Sequence, residues 1–215
     1  MRWTMRRAIA RLKAYASPIL RRLRFLTGAQ EQSVGPQLRM VRKFEPGEQS
    51  EGPKLCPGYR VERYVPGDED RWVSLINASG DFRTWGAWNR EILSKEILSG
   101  LLPNGGVFAV AGDTLVGCAA VCHWERFHPY AVLMYVVVVP EHRGRGLGTM
   151  LTAEAVQVAR RLGCPGVILH TDDDRLAAIK TYLRLAFVPD IDAQPCTKAR
   201  WKRILRLLSV PSMKG

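Results

Sequence analysis

The sequence predicts an α/β domain, a central mixed β-sheet flanked by helices, and three local patterns carry that prediction. Residues Ala131 to Val139 form an apolar run that ends in four consecutive valines at 136–139, the composition of a buried strand. The run passes through Pro140 into a segment with glycines at 144, 146 and 148, and then into a helical pattern from Leu147 to Leu162. Gly112-Asp113 separates two further apolar runs, Gly106 to Ala111 and Thr114 to His123, which is the signal of a β-hairpin.

The remaining elements follow in chain order. Met5, Ile9, Leu12, Ala16, Ile19, Leu23 and Leu26 repeat alternately four and three apart, so residues 1–26 predict a basic amphipathic helix, kinked near Pro18. Such a helix suits attachment to an anionic membrane surface or a partner, and equally a docked, targeting or leader segment. Residues 27–58 are rich in glycine and proline and read as a linker. The folded domain is expected over 59–209. Tyr59 to Tyr64 alternate as a strand, and Pro66, Gly67 and Asp68 introduce a helix from Glu69 to Asn77. A second helical region spans Trp85 to Ser99. After the valine strand and its helix, Gly166 to His170 predict a strand, Leu176 to Leu185 a helix, and Thr197 to Leu208 a short basic helix.

Charge is distributed unevenly. Residues 1–30 hold eight Arg/Lys and no acid, residues 198–215 hold six and no acid, and the stretch between carries 18 basic against 20 acidic residues. The net charge of +12 therefore belongs to the two ends, and nucleic acid is not an expected partner of the domain. Five cysteines without a CxxC pair or a histidine at zinc-like spacing suit a reducing, cytoplasmic compartment and no structural metal. No apolar run reaches the roughly 18 residues of a spanning helix, so a soluble domain is expected, membrane-peripheral if the first helix inserts.

The glycine corner carries the chemistry. Glycines let backbone approach a ligand, and the unpaired first-turn N–H groups of the helix point at any anion there. Arg143 and Arg145 add charge suited to a diphosphate. A Walker loop is excluded, because Gly148 is followed by Thr149-Met150 instead of Lys-Ser/Thr. A dinucleotide fingerprint needs Gly-x-Gly-x-x-Gly, whereas these glycines are spaced two and two, and no acid lies inside the next strand to take a ribose hydroxyl. Arg143-Gly144-Arg145-Gly146-Leu147-Gly148 instead resembles Arg/Gln-x-x-Gly-x-Gly/Ala, the acetyl-CoA signature of the GNAT acyltransferase superfamily. Val167 to Phe187 is similar to the second half of that fold, with Arg175 where the family often has Asn and Ala186 where it has Gly. Leu38-Arg-Met-Val-Arg, Pro57-Gly-Tyr-Arg-Val and Pro66-Gly-Asp-Glu-Asp-Arg-Trp resemble, more weakly, the mycothiol-synthase-like branch.

The resemblance implies a GNAT fold whose central strands, 131–139 and 166–170, splay apart to admit the pantetheine arm of acetyl-CoA. Backbone at Val137, Val138 and Val139 would hold that arm, and Arg143, Gly144, Arg145, Gly146, Leu147, Gly148, Thr149 and Arg175 the phosphates. Tyr182 stands where the family has the tyrosine that protonates the departing thiolate. The implied reaction is N-acetylation of a primary amine of a small molecule by direct attack on the thioester. Candidate bases are Glu125, placed first, and His123, His128, Tyr135 and His170. Asp172, Asp173 and Asp174 read as caps of the following helix. Aromatic loops at Ser79–Trp88 and Glu125–Tyr130 are expected to set the acceptor. The alternative is a CoA-binding regulatory or interaction module without turnover.

Overall fold

A computed structural model describes residues 36–45, 47, 54–81 and 86–209. The helix predicted over 1–26 and much of the predicted 27–58 linker lie outside the described residues, as do Phe82 and Trp85. Residues from Gln37 onward belong to one compact unit. Its strands are β1 (Leu38–Lys43), β2 (Arg60–Arg63), β3 (Leu101–Ala111), β4 (Thr114–His123), β5 (Ala131–Val138), β6 (Gly166–Thr171) and β7 (Val188–Pro189). They form one sheet in the order β2-β3-β4-β5-β6-β1-β7. The helices are α1 (Glu69–Ser79), α2 (Arg90–Glu96), α3 (Leu147–Arg161), α4 (Leu176–Arg184) and α5 (Lys198–Ser209).

One boundary differs from the sequence expectation. Leu38–Lys43, read as linker, form a strand paired antiparallel with β6 on one side and β7 on the other. Leu38 and Met40 are fully buried. The six-residue alternation has no hairpin partner nearby, because Leu38 pairs with Thr171. Only the folded sheet makes it a strand. The second helical region is also shorter than predicted. Its helix starts at Arg90 because the Asn89 side chain accepts the Ile92 N–H at 2.9 Å, an N-cap.

Each sheet face receives helices where the strand alternation points apolar side chains at them. Cys118 and Cys122 of β4 face α1 and the end of α2: Trp72 Nε1 donates to Cys118 Sγ at 3.2 Å, and Cys122 Sγ donates to the Ile97 carbonyl at 3.7 Å. Trp72 packs edge-on against Phe108 with centroids 4.9 Å apart. On the opposite face α3 buries Leu147, Met150, Leu151, Ala155 and Val158. A Cβ on Gly117 would lie 3.0 Å from Leu151 Cδ1, so glycine there lets α3 approach the sheet.

The centre of the sheet is interrupted between β5 and β6. All other pairs are antiparallel, whereas these two run parallel and pair only from Ala131↔Val167 to Leu133↔Leu169. Beyond Leu133, β5 continues to Val138 without a β6 partner, so the strands part as expected. A bulge accompanies the parting. Between Met134↔Ala120 and Val137↔Cys118, two residues of β5 oppose one of β4, and Tyr135 has φ of +51°.

Candidate active site

At the C-terminal end of β5 the chain turns through Pro140–His142 and the glycines into α3. Gly144 (φ 76°) and Gly146 (φ 84°) occupy the left-handed region, where a side chain would be strained. The first helical bond of α3 runs from the Met150 N–H to the Gly146 carbonyl at 3.0 Å. The N–H groups of Leu147, Gly148 and Thr149 thus have no acceptor within the helix, and Gly146 supplies no side-chain cap. A Cβ on Gly148 would meet nothing within 4 Å, so open space faces this first turn. Leu147 is buried and anchors the turn against the core.

The two arginines brace this corner. Arg143 donates from Nε to the Val138 carbonyl at 2.9 Å and from Nη2 to the Ser79 carbonyl at 2.7 Å. Arg145 donates to the Tyr59 hydroxyl at 3.1 Å and the Glu141 carbonyl at 3.2 Å, and Tyr59 in turn bonds His142 Nδ1 at 2.9 Å. Arg175 joins the group through Asp81, whose carboxylate lies 3.6 Å from Arg175 Nη2 and 3.3 Å from Arg143 Nη2. Asp81 therefore ties the start of α4 to the glycine corner. In the 137–139 segment, the Val139 N–H is already given to the Val116 carbonyl at 3.0 Å, and Val138 accepts from Arg143; Val137 is buried.

Tyr182 sits on α4, buried, with its ring 5.9 Å from that of Phe187 in an edge contact. Burial pushes its hydroxyl up to about 12, against the pull of Arg175, so it is a protonated donor at neutral pH. The aspartates before α4 do not cap it. Arg175 holds the N-cap position without capping the helix through its side chain, and Asp173 instead pairs with Arg200 and Arg203 of α5 while Asp172 accepts from Gln37. Two guanidinium groups stabilise a carboxylate more than backbone N–H groups that water can reach.

The bulge turns Tyr135 toward α2. Its hydroxyl donates to Glu96 Oε2 at 3.3 Å, and its ring meets Trp88 edge-on at 5.0 Å. Trp88 is held by Asn77, which accepts its N–H at 2.8 Å and donates to its carbonyl at 3.0 Å. Burial, and then Glu96, raise the Tyr135 hydroxyl well above its ordinary value. Glu96 is the residue that sequence reasoning missed. It ends a short helix, and nothing local marks it as facing a strand 39 residues away. Among the predicted bases, Glu125 is exposed in a 3-10 turn (Glu125–Phe127), His123 and His128 are exposed with rings 5.6 Å apart, and His170 packs on Phe127 at 5.3 Å. Burial, with Arg126 and Arg39, lowers His170 to about 4, so it is neutral at pH 7. Among the described residues no group of three or more His, Cys, Asp or Glu could hold a metal ion, and no helix is long and apolar enough to cross a membrane.

Comparison with known proteins agrees with this arrangement. The profile described as Acetyltransferase (GNAT) family matches residues 72–187. The mycothiol acetyltransferase of Thermobispora bispora is 33% identical over 146 residues, 63% of this chain and 48% of that protein. That of Saccharopolyspora erythraea is 35% identical over 148 residues, 66% of this chain and 48% of its own. The chain thus spans about half the length of these curated relatives. Among solved structures, a GCN5-related N-acetyltransferase from Sphaerobacter thermophilus superposes with a TM-score of 0.60 at 20% identity, covering 73% of this chain and 50% of that one. A putative acetyltransferase of the GNAT family from Novosphingobium aromaticivorans gives 0.52 at 21% identity, covering 74% and 62%. At these identities the two structures speak for the fold alone.

Proposed function

The chain belongs to the acetyltransferase (GNAT) family, and on that premise we propose that it transfers an acetyl group from acetyl-CoA to the primary amine of a small molecule. The observation that carries this reading is the position of the glycine corner. The N–H groups of Leu147, Gly148 and Thr149 lack acceptors within the helix, and space is open beside Gly148, at the end of β5 where β6 has already left it. Such a terminus suits a diphosphate, and the gap between the strands suits the arm that follows. Arg143 and Arg145 act mainly by fixing the corner, with their charge adding to its field.

The thioester would lie near the bulge. There the amine nitrogen attacks the carbonyl carbon, the N–C bond forms and the C–S bond breaks. As the N–C bond forms the nitrogen becomes acidic, and we assign Glu96, beside Tyr135, to take its proton, with Glu125 a second acceptor-side carboxylate. Tyr182 would face the leaving sulfur. A phenol near 12 lies about 3.5 units above an ordinary thiol, so its contribution is a hydrogen bond to the thiolate more than outright proton transfer.

The test is calorimetry with acetyl-CoA and CoA together with a thiol-release assay over an amine panel. The relatives' name puts mycothiol-type acceptors in that panel. Micromolar binding with amine-dependent thiol release is expected. No binding of either cofactor form would overturn the reading, and binding without turnover of any amine would return the chain to a CoA-binding module.

A further inference from the structure

The loop between β4 and β5 carries a second cationic feature that the reaction above does not use. Arg126 stacks over two rings at once, its Cζ 4.6 Å from the Trp124 centroid and 4.5 Å from that of Phe127. Those rings are nearly parallel, at 17°. A ring face attracts a guanidinium without accepting its N–H groups as ordinary hydrogen bonds, and Arg126 is exposed, so its donors stay available to an anion. Arg126 forms no ion pair with any described residue. Its neighbour Arg39 lies over the other part of the Phe127 environment, Cζ 5.8 Å from the ring, and is paired with Asp190 at 2.7 Å. His170, the remaining titratable group against Phe127, is neutral. Within this group Arg39 is matched by Asp190, whereas Arg126 has no ion-pair partner among the described residues; Glu125 on the same turn is exposed and makes no ion pair with it.

Its place matters. His170 is the residue after Leu169, the last of β6 to pair with β5, so the cluster borders the gap where the strands part. The loop that bears Arg126 precedes β5, whereas the glycine corner follows it. The two cationic features are thus at opposite ends of the strand, and a diphosphate on the corner leaves Arg126 without a partner.

We propose that Arg126 is the anion-binding residue of the acceptor site, and that the amine acetylated here also carries a carboxylate. A guanidinium without an ion-pair partner matches a monoanion, and its planar fork matches a carboxylate, which it can receive through two parallel hydrogen bonds. Contact with both Trp124 and Phe127 restrains the Arg126 side chain before the acceptor arrives, which lowers the ordering cost of binding. This inference rests on the acetyltransferase reading and names its substrate class.

The experiment uses matched pairs, amino acids against their carboxamides, with the full chain. Thiol release gives kcat/KM for each, and calorimetry in the presence of CoA gives binding where turnover is slow. The acid of at least one pair is expected to exceed its amide at least tenfold, mainly through KM. Arg126→Leu should bring the two within about twofold, and Arg126→Lys, which keeps charge without the fork, should restore part of the preference. Equal use of acids and amides by the wild type overturns the proposal, as does a preference that survives Arg126→Leu. So does an enzyme that binds CoA yet neither binds nor acetylates any carboxylate-bearing amine. Failure to bind CoA at all is a different result, since it removes the acetyltransferase reading itself.

Discussion

The two ends of β5 present themselves to ligands by different means. At the C-terminal end the backbone supplies the site: two glycines with positive φ, and a helix first turn whose N–H groups lack helical acceptors. Its arginine side chains, though exposed, are tied to neighbouring carbonyls as braces. Toward the other end, side chains supply the chemistry, with Tyr135 bonded to Glu96 at the bulge and Arg126 stacked on the preceding loop. A backbone site needs glycine at fixed places and tolerates most of its surroundings. A side-chain site depends on which distant residues fold against it.

Four measurements would break or sharpen that contrast. The largest effect is expected for Glu96→Gln, which should lower kcat by about 10²–10⁴-fold, the usual worth of a general base, while CoA affinity stays within twofold. An unchanged kcat would move the base elsewhere, with Glu125 next in line.

Next is a pH effect on stability from His170. Its pKa falls from an ordinary 6.5 to about 4 on folding, so between those values the unfolded chain binds more protons. Stability from this group is complete above about 6.5 and is lost as pH falls toward 4, up to about 3 kcal/mol at 1.36 kcal/mol per unit. Urea unfolding from pH 7.5 to 4.5 should show that slope, and His170→Gln should flatten it.

At the backbone end, Gly148→Asp should separate ligand from fold. Space is open at the Cβ, and an acid in a helix first turn is favourable by about 0.3–1 kcal/mol. The melting temperature should hold or rise while CoA affinity falls by about thirtyfold, or about 2 kcal/mol, between the water and ε ≈ 20 limits for charges 4 Å apart. Parallel loss of both would show that the glycine serves folding.

The smallest effect is expected for Asp81→Asn. Its carboxylate neutralises Arg143 and Arg175 beside the corner. Both are partly exposed, so the gain in CoA affinity should be only about threefold at low salt, and less at high salt. Weaker binding would mean that Asp81 matters more as a brace than as a competing anion.

Legibility in the sequence follows the range of the interactions. The hairpin at Gly112-Asp113, the strand at 131–138 and the α3 boundary were readable because turn chemistry and periodicity act over a few residues. The glycine corner was readable for the same reason. β1 was hidden, since its pairing with β6 joins residues more than 120 apart. Asp173 looked like a cap until α5 brought Arg200 and Arg203 against it.

By itself, then, the amino-acid order determined the kinds of element, their sequence along the chain, and one anion-binding turn, because each is decided by dihedral preference and hydrophobic period within a short window. The tertiary structure decided which side chains meet: Glu96 with Tyr135, Arg143 and Arg175 with Asp81, Arg126 with two aromatic rings. Those contacts are set by the bulge in β5 and the parting of β5 from β6, and register and curvature are properties of the assembled sheet.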